Sequence, residues 1–122
     1  MLKILVIDDS LLMRKVARDH LENAGFDVED CLPETLGDLI DRLKEAAPDL
    51  VLSDFNMPHL DGTAVARTVR RTDPKIPVLI LTANRDVARD AILQTLGVRR
   101  ILHKPISGPD LVDVVSQVLA AS

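Results

Sequence analysis

Short apolar runs alternate with longer segments of helical periodicity along this chain. Four of the runs are Lys3 to Ile7, Leu50 to Ser53, Val78 to Leu81 and Ile101 to His103. They are rich in Val, Ile and Leu, which is typical of strands buried in a parallel sheet. A fifth strand is predicted around Phe26 to Cys31, where apolar and polar positions alternate.

Helix signals occupy the intervals between these runs. The predicted helices run from Ser10 to Gly25, from near Pro33 to before Pro48, over about 63–71, over about 85–96, and onward from a capping box of Ser107 and Asp110. On the first helix the core-facing stripe is predicted at Val16, Ala17, Leu21 and Ala24. His20 lies on this stripe and is expected to be a partly buried packing residue.

Five strand and helix units in alternation predict one α/β domain over residues 1–122. Connections between parallel strands are nearly always right-handed, so such units form an open five-stranded parallel sheet with helices on both faces. The sequence contains no linker, internal repeat or low-complexity stretch that would indicate a second domain.

The composition limits both the core and the ligand. Hydrophobic residues make up 47% of the chain but aromatic ones only 2%, so the core has to be aliphatic. A formal net charge of −4 argues against direct binding of nucleic acid, which needs a basic surface. No apolar run approaches the roughly 18 residues of a membrane span, so we expect a soluble, cytoplasmic protein with no membrane partner. The single Cys31 is expected to be a small buried hydrophobe rather than a reactive thiol.

Polar side chains suited to a metal ion or a phosphate follow four of the predicted strands. Asp8 and Asp9 follow the first strand, Asp54 the third, Thr82 the fourth and Lys104 the fifth. Because ligands of open parallel sheets bind beyond the carboxyl ends of the strands, these side chains should converge on one site. Clustered carboxylates repel one another unless a cation shares the site, and a hard divalent ion such as Mg²⁺ fits their oxygens best.

The remaining groups suit a phosphoryl ligand. Lys104 supplies a positive charge and Thr82 a hydroxyl donor, and both can hold the outer oxygens of a phosphoryl group. The expected nucleophile is a carboxylate, because aspartate forms aspartyl phosphates and no Ser, Cys or His has a base arranged beside it. His20, His59 and His103 fall on different elements and so do not indicate a zinc site. His59 is expected to be an exposed loop residue.

These positions resemble the receiver domain of bacterial two-component response regulators, of the chemotaxis-regulator type, over the whole length of the chain. The motifs that carry the resemblance are Asp8-Asp9, the segment from Asp54 to Gly62, Thr82-Ala83 and Lys104-Pro105. They stand in order at the ends of strands one, three, four and five. The resemblance implies the flavodoxin-like fold, with strand order 2-1-3-4-5 and helices on both faces.

The resemblance also implies an acceptor and a metal site. Asp54 would accept the phosphoryl group from a phosphohistidine donor, so the partner would be a sensor histidine kinase or a phosphotransfer protein. Asp9, Asp54 and the backbone carbonyl of Asn56 would bind Mg²⁺ or Mn²⁺, with Asp8 holding the ion through water. Such a domain catalyses its own phosphotransfer and slow dephosphorylation and is not otherwise an enzyme.

The same resemblance implies a switch. Thr82 with Ala83, and Lys104, would bind the phosphoryl oxygens, and the Lys104–Pro105 bond would be cis. The chain departs from the family at Ile101, where receivers of this type usually carry Tyr or Phe. Isoleucine offers no hydroxyl to a partner, so switching is expected to depend more on Thr82 and the loop into the fourth helix.

A docking surface for the phosphate donor is predicted next to the site. The helical wheel places Leu11 opposite the core stripe of the first helix and Leu12 well off it. Both leucines fall in the turn beside the predicted acceptor, and kinases of the family are expected to dock there and near Pro105 and Ile106. A phosphorylation-dependent homodimer and the nature of the output remain open.

Three alternatives stay open at this stage. A flavin-binding flavodoxin needs a phosphate loop after the first strand, which Asp8-Asp9-Ser10 disfavours by repulsion. A phosphohydrolase of the haloacid dehalogenase type needs a second Asp two residues after its nucleophile, and position 56 is Asn. The stronger rival is a degenerate receiver that serves only as an interaction module. The sequence is equally compatible with a stand-alone receiver and with a domain of a longer regulator.

Overall fold

The computed structural model describes residues 1–121, and strands alternate with helices throughout this range. The strands are β1 (Lys3–Ile7), β2 (Asp27–Cys31), β3 (Leu50–Asp54), β4 (Val78–Thr82) and β5 (Val98–His103). The helices are α1 (Leu11–Asn23), α2 (Leu36–Ala46), α3 (Gly62–Thr72), α4 (Val87–Thr95) and α5 (Gly108–Ala121).

The strands form one parallel sheet in the order β2-β1-β3-β4-β5. Each crossover passes through a helix, as parallel pairing requires. The predicted fold class and strand order are therefore confirmed. The two edge strands carry exposed or half-buried side chains, whereas β3 and β4 are buried along their whole length.

Two aliphatic layers cover the sheet, one on each face. The first lies under α1 and α5, and its buried members include Ala17, Leu21, Leu52, Leu79, Leu111 and Val115. The second lies under α2, α3 and α4, and its buried members include Leu39, Leu43, Val51, Val65, Val69, Ile80 and Leu93. Alternation of side chains along each strand supplies both layers from the same five strands.

The register of the sheet brings the strand ends to one edge. Asp54 pairs with Leu81 across β3 and β4, and Thr82 pairs with His103 across β4 and β5. Asp8 follows Ile7, which pairs with Ser53 of β3. The polar residues that terminate these strands therefore lie side by side beyond the carboxyl edge, where ligands of such sheets bind.

Helix α2 begins later than the sequence predicted. Pro33 is buried ahead of the helix, and Thr35 is the N-cap. The Thr35 hydroxyl accepts the Asp38 N–H at 3.0 Å, and the Asp38 carboxylate accepts the Thr35 N–H at 3.3 Å. This reciprocal capping box satisfies two otherwise unpaired donors, which outweighs the preference of proline for a first helical turn.

The predicted core stripe of α1 is only half correct. Ala17 and Leu21 are buried, but Val16 is 39% exposed and Ala24 is exposed. His20 is also exposed rather than partly buried, although its ring lies against Gly108 of α5. The helix is rotated relative to the prediction because two arginines, discussed below, turn toward β2.

Smaller boundaries also differ from the predictions. Strand β2 begins at Asp27 rather than Phe26, and Cys31 at its end is half-buried rather than buried. Helix α4 is shorter than predicted because the Asp86 side chain caps it by accepting the Arg89 N–H at 3.0 Å. Among residues 1–121, none of the helices has the length and apolar character needed to cross a membrane.

Candidate functional site

Three carboxylates meet beyond the ends of β1 and β3. One oxygen each from Asp8, Asp9 and Asp54 lies within 4.8 Å of the other two. Asp8 and Asp54 are buried, whereas Asp9 is exposed and open to an incoming ion. Hard divalent cations prefer oxygen donors of this kind, and Mg²⁺ commonly takes one or two carboxylates together with water. The donor set therefore fits the ion that the resemblance implied.

Lys104 is the cationic residue of the cluster. Its ammonium group lies 2.9 Å from Oδ1 of Asp54 and 3.7 Å from Oδ2 of Asp8. The Lys104 N–H donates to the Thr82 carbonyl at 2.8 Å, and the Lys104–Pro105 peptide bond is cis, as the resemblance implied. One ammonium group facing three carboxylates leaves the site with an excess of negative charge, and a bound cation would offset it.

Burial, more than this excess of charge, determines the direction of the pKa shifts of the two buried carboxylates. Burial raises the pKa of Asp54 and of Asp8, and in both cases it outweighs the lowering by Lys104 and, for Asp8, by the Ser10 N–H. Burial also acts to lower the pKa of Lys104, but pairing with Asp54 and Asp8 more than offsets it, so the net shift is upward. The lysine is thus held firmly in its charged form, and the two buried carboxylates carry an electrostatic penalty.

The loop between β1 and α1 holds Asp8 in place. Oδ1 of Asp8 accepts the Ser10 N–H at 2.9 Å, and Ser10 caps α1 by accepting the Met13 N–H at 3.2 Å. Nη1 of Arg14 donates to the Asp8 carbonyl at 2.6 Å, and its Nε donates to Asp30 at 3.2 Å. Arg18 donates to the same Asp30 carboxylate at 2.8 Å.

Sequence reasoning did not single out Arg14 as a residue of the site. Its signal was present, because Arg14 lies four residues after the N-cap Ser10 and therefore points back over the start of the helix. Its partners lie on other elements of the fold. The Asp8 carbonyl belongs to the loop before α1, and Asp30 belongs to β2. Arg14 and Arg18 together tie one side of α1 to β2, and Val16 on the opposite side of the helix is exposed.

The segment after Asp54 approaches α3 closely. The Phe55 N–H donates to the Leu81 carbonyl at 2.8 Å, and the Phe55 carbonyl accepts the Gly62 N–H at 2.8 Å. A Cβ added to Gly62 would lie 2.7 Å from Cδ2 and 3.1 Å from Cα of Phe55. Glycine is therefore required at position 62 for the backbone to run past Phe55. Asn56 follows in this segment and is exposed, which leaves it accessible to a ligand.

Thr82 is buried, and its hydroxyl is already engaged. Oγ1 of Thr82 donates to the Asn84 carbonyl at 3.2 Å and accepts the Asn84 N–H at 3.3 Å. Ala83 between them is exposed. Ile101 of β5 is half-buried and packs against the aliphatic layer under α2, α3 and α4. The position that usually carries an aromatic ring is thus filled by an aliphatic packing residue.

The predicted docking residues lie at the surface beside the carboxylates. Leu11 is 56% exposed and Leu12 is 70% exposed, both at the start of α1. Ile106 is half-buried and Pro105 is exposed. His59, as expected, is an exposed loop residue. The exposure of the two leucines agrees with the helical wheel, while their role in docking stays a prediction.

Comparison with known proteins points to one family. Residues 4–116 match the model of the response regulator receiver domain. The response regulator MprA of Mycolicibacterium vanbaalenii is 34% identical over 109 residues, which are 89% of this chain and 46% of that protein. The chemotaxis protein CheY of Bacillus subtilis is 27% identical over 119 residues, which are 96% of this chain and 97% of CheY.

The fold has close structural counterparts as well. A CheY-like response regulator receiver domain protein from Methanospirillum hungatei superimposes with a TM-score of 0.91. The match covers 99% of this chain and 95% of that protein at 21% identity. The chain spans about half the length of MprA.

Proposed function

Because the chain belongs to the response regulator receiver domain family, we propose that it takes up one phosphoryl group on Asp54 in a reaction that requires Mg²⁺ or Mn²⁺. The donor is a phosphohistidine of a sensor histidine kinase or phosphotransfer protein, or a small acyl phosphate. The aspartyl phosphate then hydrolyses slowly. The protein acts in the cytoplasm, and residues 1–122 form one receiver domain.

The observation that carries this proposal is the pairing of Asp54 with Lys104 inside a cluster of three carboxylates. An Asp54 oxygen forms a bond to phosphorus as the bond from phosphorus to the donor nitrogen breaks. The electron pair of that bond stays on the imidazole nitrogen, which takes a proton from water. The Lys104 ammonium group lies 2.9 Å from Oδ1 of Asp54. From this position its positive charge can stabilise the negative charge of the phosphoryl oxygens during transfer. The metal ion, when bound, would neutralise the charge of the phosphoryl oxygens.

The metal ligands follow from the same cluster. Asp9 and Asp54 supply carboxylate oxygens, the Asn56 carbonyl supplies a third oxygen, and Asp8 acts through a bound water. The exposure of Asp9 supports its direct role, and Oδ1 of Asp8 already accepts the Ser10 N–H, which supports a role through water for Asp8. Thr82 and Ala83 contribute the hydroxyl and the backbone beside the phosphoryl oxygens.

The test is an intact-mass measurement after incubation with acetyl phosphate and Mg²⁺. We expect one added phosphoryl group, which is absent in Asp54→Asn and absent when the metal is chelated. Asp113→Asn is the matched control, because Asp113 is exposed on α5 and its side chain makes no hydrogen bond or ion pair within residues 1–121. Label that persists in Asp54→Asn would overturn the assignment of the acceptor.

The rival functions give different results in the same assay. A degenerate receiver would take up no phosphoryl group under any condition. A phosphohydrolase would release phosphate from p-nitrophenyl phosphate rapidly over many turnovers, whereas we expect release no faster than the slow hydrolysis of the aspartyl phosphate. Asn at position 56 supports this expectation, because a carboxylate is the group that would serve as general acid and base there.

Docking of the donor is assigned to the start of α1 and the loop after β5. Leu11 and Leu12 form an exposed apolar pair next to the acidic site, and Ile106 lies half-buried on the same side. Apolar contacts of this kind, rimmed by charge, suit a transient protein partner. The partner is a histidine-containing protein, and a phosphorylation-dependent homodimer is one form that the output could take.

A further inference from the structure

Arg89 joins three parts of the molecule at the start of α4. Its side chain is only 15% exposed. The guanidinium carbon lies 4.6 Å from the centroid of the Phe55 ring, a stacking distance for a cation on an aromatic face. Nη2 of Arg89 donates to the Asn84 carbonyl at 2.7 Å. One residue thus connects α4, the loop after β4 and the residue that follows Asp54.

The carbonyl that Arg89 contacts is the one that holds the Thr82 hydroxyl. Thr82 Oγ1 donates to the Asn84 carbonyl at 3.2 Å, and a hydroxyl has only one proton to donate. The Thr82 hydroxyl therefore has to leave this carbonyl before it can donate to a phosphoryl oxygen. Arg89 fixes the carbonyl in the position that Thr82 uses.

Other contacts hold the guanidinium in this orientation. Nε and Nη2 of Arg89 lie 3.3 and 3.1 Å from Oδ1 of Asp90, and the Arg89 N–H is bound by the N-cap Asp86 at 3.0 Å. Ile101 on the neighbouring strand has no polar atom with which to restrain Thr82. Arg89 is the side chain outside this loop that binds the Asn84 carbonyl, beside the hydrogen bonds between Thr82 and Asn84 themselves.

We propose that Arg89 is a positioning residue that keeps the Thr82 hydroxyl on Asn84, away from the phosphoryl site, until phosphorylation releases it. This inference rests on the proposed function. Within residues 1–121 Arg89 forms no hydrogen bond or ion pair with the site carboxylates or with Lys104, so it acts through Asn84 and Thr82. Release of the loop would at the same time separate Arg89 from Phe55, so that the start of α4 changes its surroundings when Asp54 changes its charge.

The direction of the effect follows from the population of the released loop. Arg89→Met retains an unbranched apolar stem over Phe55 and removes the guanidinium donor to the Asn84 carbonyl, which leaves the Thr82 hydroxyl as its donor. The loop then leaves its restrained position more readily, and a larger share of molecules has the Thr82 hydroxyl free. We expect labelling by acetyl phosphate to be about fivefold faster, at the lower end of typical coupling between sites. Arg89→Lys keeps one charged donor and should show a smaller increase.

The control for charge and for the loop is Arg85→Met. Arg85 lies in the same loop, is exposed, and makes no hydrogen bond or ion pair within residues 1–121. Arg85→Met removes the same charge by the same substitution as Arg89→Met. The Arg85→Met protein should therefore be labelled at the rate of the unaltered protein. Melting temperatures of all variants show whether any of them is merely unfolded.

A double-mutant cycle separates positioning from general loosening. In a Thr82→Val background there is no hydroxyl to release, so Arg89→Met should no longer accelerate labelling. A structural role would produce the same fold-change in both backgrounds. The cycle therefore reads the coupling between Arg89 and Thr82 directly.

A spectroscopic measurement tests the inference on the unaltered protein. The NMR signal of the Arg89 side-chain N–H should carry a ring-current shift from Phe55, absent in a Phe55→Leu variant. Addition of beryllofluoride with Mg²⁺, which mimics an aspartyl phosphate, should remove that shift. Persistence of the shift, or equal labelling rates of Arg89→Met and Arg85→Met, would overturn the inference alone. Absence of labelling in the unaltered protein would overturn the proposed function together with it.

Discussion

Lys104 Nζ lies 2.9 Å from Oδ1 of Asp54, and within residues 1–121 it is the one cationic group that pairs with this carboxylate. The same ammonium group reaches Asp8 only at 3.7 Å, and Asp9 has no ion pair in the described chain. Two buried carboxylates thus share one charge of opposite sign. The metal-free site is therefore electrostatically unfavourable, and its stability should respond to any change that neutralises a carboxylate.

We expect Asp8→Asn to stabilise the metal-free protein at pH 7 by about 1 kcal/mol, or roughly 4 °C in melting temperature. The amide oxygen can still accept the Ser10 N–H, while the buried charge is removed. Burial raises the pKa of Asp8, so the folded state takes up this proton at a higher pH than the unfolded state does. The penalty is therefore fully present at neutral pH and is relieved as the pH falls toward 3.8.

The measurement is thermal unfolding between pH 7 and pH 4 with a chelator present. The advantage of Asp8→Asn over the unaltered protein should shrink as the pH falls. Asp19→Asn, an exposed position on α1 without polar partners in the described chain, should show no such trend. An advantage that is independent of pH would show that charge is not the cause.

Addition of Mg²⁺ should stabilise the unaltered protein by mass action. At ten times Kd the expected gain is about 1.4 kcal/mol, which differential scanning fluorimetry resolves easily. Asp9→Ala should abolish this gain because Asp9 is the exposed carboxylate of the cluster. If Asp9→Ala gains as much from Mg²⁺ as the unaltered protein, the ion binds at another place.

Gly62→Ala should destabilise the protein by about 1–3 kcal/mol and slow phosphoryl uptake. The added Cβ would lie 3.1 Å from the Phe55 backbone, next to the acceptor, and backbone moves less easily than a flexible side chain. Gly37→Ala is the matched control, since its Cβ would meet only the Thr35 hydroxyl at 3.6 Å. Chemical denaturation of both variants should give opposite signs, because alanine is otherwise favoured in a helix.

Polar replacement of Leu11 and Leu12 together should slow phosphoryl transfer from a phosphohistidine protein about tenfold or more, while labelling by acetyl phosphate stays unchanged. The two side chains are 56% and 70% exposed, so their loss leaves the core intact. Leu36→Gln, at another exposed apolar position, is the control. Equal loss with both donors would mean that the leucines serve the site and not the partner.

Cys31 should react slowly with iodoacetamide at neutral pH. Burial raises the pKa of its thiol, and the nearby Arg42 lowers it only in part. The rate should therefore rise with pH only above the range of an ordinary thiol, and Arg42→Met should displace the profile further upward. Because the chain has a single cysteine, the mass of the alkylated protein reports this site alone. A profile like that of the urea-unfolded protein would contradict the shift.

The sequence predicted those site residues whose positions are determined by the ends of the strands. Asp8, Asp54, Thr82 and Lys104 follow the hydrophobic runs directly, so their convergence followed from the parallel sheet alone. The orientation of α1 was not predictable in the same way. The amphipathic pattern predicted that Val16 faces the core. Arg14 and Arg18 instead bind Asp30, which is distant from them in sequence, and these ion pairs turn their side of the helix toward β2.

The contacts of Arg89 were not predicted either, because they also join residues that are distant in sequence. Arg89 has a local signal only as a charged residue in the first turn of a helix. Its significance depends on the Phe55 ring, which is brought close by the pairing of β3 with β4. The start of α2 was misplaced because the capping box of Thr35 and Asp38 begins the helix three residues after Pro33, the residue that the prediction used.

The five strands separate α1 and α5 on one side from α2, α3 and α4 on the other. The apolar pair Leu11 and Leu12 belongs to the first side, and Arg89 belongs to the second. On the roles proposed for these residues, donor choice depends on one face of the sheet and the response to phosphorylation on the other. A substitution on one face could then change one of these two properties while the other stays as it was.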